Sequence, residues 1–123
     1  MKHIMILEDD VLTQKTLARI FDRSFKVSIC NSGEEFLANF METKFDFFIM
    51  DISLKGKYNG LEITRLLRES ELHTNTPILC LTAHAFRKDQ LNALEAGVSK
   101  FLTKPIEPAV LRKVVEGMLT VES

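Results

Sequence analysis

Acids at Glu8, Asp9, Asp10 and Asp51, a hydroxyl at Thr82 and an ammonium at Lys104 all follow short apolar runs in this chain. His3 to Leu7 runs into Glu8-Asp9-Asp10, Phe45 to Met50 into Asp51, Pro77 to Leu81 into Thr82, and Lys100 to Thr103 into Lys104-Pro105. These side chains are what a divalent metal and a phosphorylated carboxylate need around them. Carboxylates supply the hard oxygen ligands that suit Mg²⁺. A carboxylate can also act as a nucleophile and form an aspartyl-phosphate. A hydroxyl and an ammonium can then meet the oxygens of the product.

Each residue also has a simpler reading. Adjacent acids at a strand end can cap and charge the N-terminus of the helix that follows. A helix needs only one cap, and Asp10 fills that role, which leaves Glu8 and Asp9 for a cation. Asp51 could be a turn former and Thr82 a β-branched strand residue. Lys104 could be a solvated loop lysine and Phe101 a core side chain. Order and spacing, rather than any single residue, point to shared chemistry.

That chemistry requires the four run ends to meet. Apolar runs near 3–7, 25–30, 45–50, 77–81 and 99–102 read as strands, several without alternation, as expected of strands covered on both faces. Helical patterns lie between them. Residues 10–22 carry Leu17, Ile20 and Phe21 on one stripe, and residues 33–42 carry Phe36, Leu37, Phe40 and Met41 behind a Ser32/Glu35 capping box. Residues 60–71 carry Ile63, Leu66 and Leu67. Residues 85–96 carry Leu91 and Leu94 and end at Gly97, suited to a left-handed cap. Residues 107–120 carry Val110, Leu111, Val114, Val115 and Met118, with Pro108 in the first turn. Five βα units imply an α/β fold with a five-stranded parallel sheet, doubly wound in the flavodoxin-like (βα)5 order 2-1-3-4-5. In such a sheet all four polar ends lie along one edge, where open α/β sheets bind ligands.

The 123 residues, 46% hydrophobic and 27% charged, describe one globular domain over 1–123 with no room for an output domain. A formal net charge of −1 argues against direct nucleic acid binding. No stretch is long and apolar enough for membrane insertion. Cys30 and Cys80 end apolar runs and read as buried reduced thiols, in keeping with a cytoplasmic location.

The acid pair, Asp51, Thr82-Ala83 and Lys104-Pro105, in this order and spacing, resemble the receiver domain of two-component response regulators. The resemblance covers the whole chain, and the single-domain, chemotaxis-regulator-like form is the nearest in architecture. It implies that Asp51 is the phosphoacceptor, that Asp9 binds Mg²⁺ directly, and that Glu8 does so mainly through water. The Ser53 carbonyl would be a third protein ligand, and Mn²⁺ could replace Mg²⁺. Thr82 and the Ala83 N–H would meet phosphoryl oxygens, Lys104 would pair with another, and Phe101 would be an aromatic switch. Phosphoryl donors would be a sensor histidine kinase or a histidine phosphotransfer protein. The face of the fourth helix, fifth strand and fifth helix would change for a downstream protein target or for homodimerisation on phosphorylation. Such a domain assists its own phosphorylation and dephosphorylation and is no turnover enzyme. The resemblance also makes Lys104-Pro105 a candidate cis peptide.

Some features depart from the family pattern or vary within it. Residues 53–60 lack a frequent proline and run one residue longer, bringing Lys55 and Lys57 beside an acidic pocket. They could tune metal or kinase access, or simply be solvated. Phe101 lacks the hydroxyl of the Tyr many members carry, so only packing can operate its switch. His84 could order or block the water that attacks an acyl phosphate. Two other classes share the fold. A flavin- or nucleotide-binding module would need a Gly-rich or hydroxyl-rich loop after the first strand, where this chain has Glu8-Asp9-Asp10-Val11. A Mg²⁺-dependent phosphohydrolase would need a general acid close to Asp51, where Ser53 cannot serve.

Overall fold

A computed structural model describes residues 1–83 and 86–121. Five strands alternate with five helices: β1 (His3–Leu7), α1 (Val11–Phe21), β2 (Lys26–Cys30), α2 (Gly33–Asn39), β3 (Phe47–Asp51), α3 (Gly60–Glu69), β4 (Ile78–Thr82), α4 (Arg87–Ala96), β5 (Lys100–Thr103) and α5 (Pro108–Val121). The strands form one parallel sheet in the order β2-β1-β3-β4-β5, as the sequence predicts.

Alternation along the strands divides the core. Met5, Leu7, Phe48, Met50, Ile78 and Cys80 face α2, α3 and α4, where they meet Phe36, Ile63, Leu67 and Ala93. Ile4, Ile6, Phe47, Ile49, Leu79 and Leu81 face α1 and α5 and meet Leu17, Phe21, Leu111 and Val115. Every residue of β3 and β4 is buried, which explains their lack of polar alternation. Each of their Phe, Ile, Leu and Met side chains contributes about 1.5–3 kcal/mol by leaving water. Strong burial of the central strands anchors the polar residues at their ends.

Local signals set the helix boundaries. Asp10 caps α1, its carboxylate accepting from the Thr13 N–H at 2.9 Å. Asn59 and Glu62 form a reciprocal capping box on α3. At α2 only half of the expected box forms. Ser32 Oγ accepts from the Glu35 N–H at 3.1 Å, while the Glu35 carboxylate lies against the Cys30 thiol. α2 also stops at Asn39, short of the predicted 42, and Phe40 and Met41 pack on the core from the following turn. Gly97 ends α4 with φ +118°.

α4 differs from its predicted face. Leu91 and Leu94 are 55% and 51% exposed, and the buried residues are Ala93 and Ala96. Helical spacing identified a leucine stripe, but α4 approaches its neighbours through the alanines, whose small side chains permit close packing.

Candidate functional site

The ends of β1, β3, β4 and β5 converge on one pocket. Parallel register pairs Leu7 with Met50, Asp51 with Leu81 and Thr82 with Thr103, so the residues just past each strand share an edge. Glu8, Asp9 and Asp51 each bring a carboxylate oxygen within 4.8 Å of the others. Asp10, by contrast, stays on α1 as its cap.

Lys104 binds the acids together. Its Nζ lies 2.9 Å from Glu8 Oε1 and 3.3 Å from Asp51 Oδ2. Burial pushes the Glu8 carboxyl above its usual range, opposed by hydrogen bonds from Lys104 and the Asp10 N–H. Burial also works against the Lys104 ammonium, but Glu8 and Asp51 outweigh it and raise the lysine's pKa. Three carboxylates against one ammonium leave two formal negative charges in a largely buried pocket. An all-oxygen donor set with that excess charge fits a divalent cation such as Mg²⁺.

Backbone groups orient the carboxylates. The Ser53 N–H donates to Asp51 Oδ1 at 2.9 Å, the Asp10 N–H to Glu8 Oε2 at 3.1 Å, and the Lys55 N–H to Asp9 Oδ2 at 3.2 Å. Lys55 thus reaches the pocket through its backbone, while its side chain is exposed. Lys57 is also exposed, its Nζ 5.6 Å from the centre of the Tyr58 ring. Gln14 Nε2 donates to the Glu8 carbonyl and to Asn31 Oδ1, both at 2.6 Å, tying the β1 end to the β2 end.

Thr82 is fully buried at the end of β4, and Ala83 follows it at the surface. The Lys104 N–H donates to the Thr82 carbonyl at 2.8 Å, and the Lys104-Pro105 peptide is cis, as expected. Phe101 pairs with Cys80 across β4 and β5 and is half-buried against the core. His84 lies outside the described residues. Both cysteines are free and buried. Burial pushes both thiols up to about 12, aided at Cys80 by the charge on Asp51. The sequence reading overlooked Gln14 and Glu34. Both look like ordinary exposed-helix residues, and their contacts cross between separate segments.

A family model described as response regulator receiver domain matches residues 4–116. Among curated proteins, the chain is 36% identical over 119 residues to the aerobic respiration control protein ArcA of Escherichia coli, covering 96% of this chain and 48% of that one. It is 33% identical over 116 residues to the regulatory protein VanRB of Enterococcus faecalis, covering 94% and 51%. A 33% match to hybrid signal transduction histidine kinase I of Dictyostelium discoideum covers 94% of this chain but 7% of that protein. The chain therefore spans about half or less of these curated relatives. Among solved structures, the BeF3-activated DrrB receiver domain has a TM-score of 0.89 at 28% identity, covering 98% of each chain. The receiver domain of a sensor histidine kinase from Pseudomonas aeruginosa, with a magnesium ion coordinated in its active-site cleft, has a TM-score of 0.87 at 26% identity, covering 97% and 98%. No helix among the described residues is long and apolar enough to cross a membrane. The sheet order, the polar strand ends and a family match over nearly the whole chain agree: this protein belongs to the response regulator receiver domain family and is a signalling domain of the phosphorelay type.

Proposed function

We propose that Asp51 is the phosphoacceptor and that the donor is a phosphohistidine on a sensor histidine kinase or a histidine phosphotransfer protein. The observation that supports this reading is the placement of Asp51 within an acid group that, among the described residues, meets the Lys104 ammonium at the sheet edge. An Asp51 carboxylate oxygen attacks the phosphorus in line, the P–N bond to the imidazole breaks, and an acyl phosphate forms. Glu8, Asp9, Asp51 and the Ser53 carbonyl would hold Mg²⁺, or Mn²⁺ in its place. Bound there, the cation would offset the charge of donor and acceptor, which is the chief electrostatic demand of phosphoryl transfer.

The chain's own groups supply the rest. The Ser53 N–H holds one Asp51 oxygen at 2.9 Å. Lys104, already 3.3 Å from Asp51, has only to turn to pair with a phosphoryl oxygen. Thr82 Oγ1 and the Ala83 N–H take the remaining oxygens. Movement at Thr82 repacks Phe101 and alters the face of α4, β5 and α5, which binds the output partner or a second copy. The domain assists its own phosphorylation and dephosphorylation without turning over a separate substrate. Incubation with a small acyl-phosphate donor and Mg²⁺ should add one phosphate, seen by intact mass, and Asp51→Asn should abolish it. No mass gain at saturating donor would overturn the assignment.

A further inference from the structure

The chain between β3 and α3 must leave the acid pocket and return to the sheet, and residues 52–59 make this loop. Its base is pinched shut. The Gly60 N–H donates to the Ile52 carbonyl at 3.3 Å, and Gly60 sits so close to Asp51 that a Cβ would lie 2.4 Å from the Asp51 carbonyl oxygen.

The crown of the loop rests on the start of α2. Glu34 Oε1 accepts from the Tyr58 N–H at 3.1 Å. Its other oxygen covers Gly56, where φ is +105° and a Cβ would meet Oε2 at 2.6 Å. The neighbouring Gly33 gives Tyr58 room: a Cβ on Gly33 would lie 2.8 Å from Tyr58 Cβ and 2.9 Å from its carbonyl oxygen. Hydrogen bonds from the Tyr58 and Lys57 backbone hold the Glu34 carboxyl below its usual range. Between crown and base, the Lys55 N–H holds Asp9 Oδ2 at 3.2 Å. The contacts therefore run without a break from Glu34, through the backbone of residues 55–58, to a carboxylate of the acid group.

We propose that Glu34 is a positioning residue for the cation site: by seating the loop on α2 it fixes the Lys55 N–H that orients Asp9. The proposal rests on the reading of Glu8, Asp9 and Asp51 as the Mg²⁺ site. Nothing in Glu34 touches that site directly, so its effect passes through the loop. Changing an outer partner that orients a metal ligand typically costs about 10–100-fold in metal affinity.

The test uses the full chain and Mg²⁺ itself. Tyr58 is the only tyrosine and there is no tryptophan, so intrinsic fluorescence reports on the crown of this loop alone. Glu34→Ala should weaken the Mg²⁺ Kd by about ten-fold, measured by calorimetry and by Tyr58 fluorescence. Glu34→Gln, whose amide oxygen can still accept from the Tyr58 N–H, should stay near the wild-type Kd. At saturating Mg²⁺ the Glu34→Ala phosphorylation rate should return to the wild-type value, and its melting temperature in chelator should match wild type. An unchanged Kd in Glu34→Ala, with or without a lower melting temperature, would overturn the proposal while leaving the cation site intact. No Mg²⁺ response in the wild-type chain would overturn the site reading, and the proposal with it.

Discussion

Replacing Lys104 by Met tests whether its ammonium holds the acid pocket together. Met keeps an unbranched apolar side chain of similar reach but removes the charge. Nζ sits 2.9 Å from one Glu8 oxygen and 3.3 Å from one Asp51 oxygen, and Glu8 is almost fully buried. At an effective dielectric of roughly 20, each contact is a gross attraction of about 5 kcal/mol. Desolvation of the ammonium offsets much of this, and the variant no longer bears that cost. Lys104 also keeps 22% of its side-chain surface in solvent. The expected net loss is then about 2–4 kcal/mol, below the roughly 3–5 kcal/mol of a fully buried pair because the ammonium is partly solvated. With a urea m-value of about 2 kcal/mol/M, the midpoint should fall by about 1–2 M in chelator. Circular dichroism reads this directly. Saturating Mg²⁺ should stabilise the variant more than the wild type, because the cation replaces the missing charge. Adding Glu8→Gln should recover part of the loss, a coupling that a double-mutant cycle would display. A variant as stable as wild type in chelator, or a loss indifferent to both Mg²⁺ and Glu8→Gln, would refute this electrostatic account.

Two further outcomes follow from close packing. His73 is fully buried, with Nε2 3.1 Å from the Thr43 carbonyl and Nδ1 2.9 Å from Thr76 Oγ1. A carbonyl only accepts, so Nε2 carries the proton and Nδ1 accepts from Thr76. Burial lowers the His73 pKa below 6.5, helped by the Lys44 and Arg68 charges and opposed by the Thr43 bond. The unfolded chain therefore takes up the proton first. The stability His73 contributes is complete above its unfolded pKa and falls with pH below it, by at most about 1.4 kcal/mol per pH unit. Urea midpoints below about pH 6.5 should show this slope in wild type and a shallower one in His73→Asn, and equal slopes would contradict it. Gly60→Ala would place a Cβ 2.4 Å from the Asp51 carbonyl oxygen and 2.7 Å from Ile52 Cα, both rigid backbone. Overpacking there should cost about 2–3 kcal/mol and slow acyl-phosphate labelling by shifting Asp51, and a variant labelled at the wild-type rate would argue against it.

The strand ends were legible because burial and chemistry change together there. β3 and β4 are wholly buried up to Asp51 and Thr82, so their first polar side chain marks the sheet edge in the sequence itself. Lys104 was legible by its place instead, one residue beyond β5 and directly before Pro105. α4 was not. Leucine spacing suggested a core stripe, but a helix packed through Ala93 and Ala96 leaves its leucines outside. Glu34 was hidden differently. At the second position of α2 it reads as an acid favouring the helix dipole, whereas its partners are backbone groups near residues 56–58. Hydrogen bonds from side chain to distant backbone leave no mark on residue type or period. Glu35 shows the converse. Its spacing from Ser32 suits a capping box, yet its carboxylate lies by Cys30.

Packing differs across the sheet in a way that suits an acceptor coupled to a responsive face. Asp9 lies just past β1 and Asp51 ends β3, strands whose core residues are at most 1% exposed and are covered by helices on both sides. An acceptor anchored there keeps its geometry when charge is added. β5 is different. It is an edge strand with no fully buried residue, and α4 beside it buries only two alanines. Segments with little buried apolar surface open and shift at the lowest free energy. The Lys104 N–H bond to the Thr82 carbonyl ties the end of this weakly held edge to the end of rigid β4, at the residues that would receive the phosphoryl oxygens. On the proposed function, a change in charge at the buried centre would meet its least resistance towards β5 and α4, and the exposed Phe86, Leu91 and Leu94 lie on α4 or beside it.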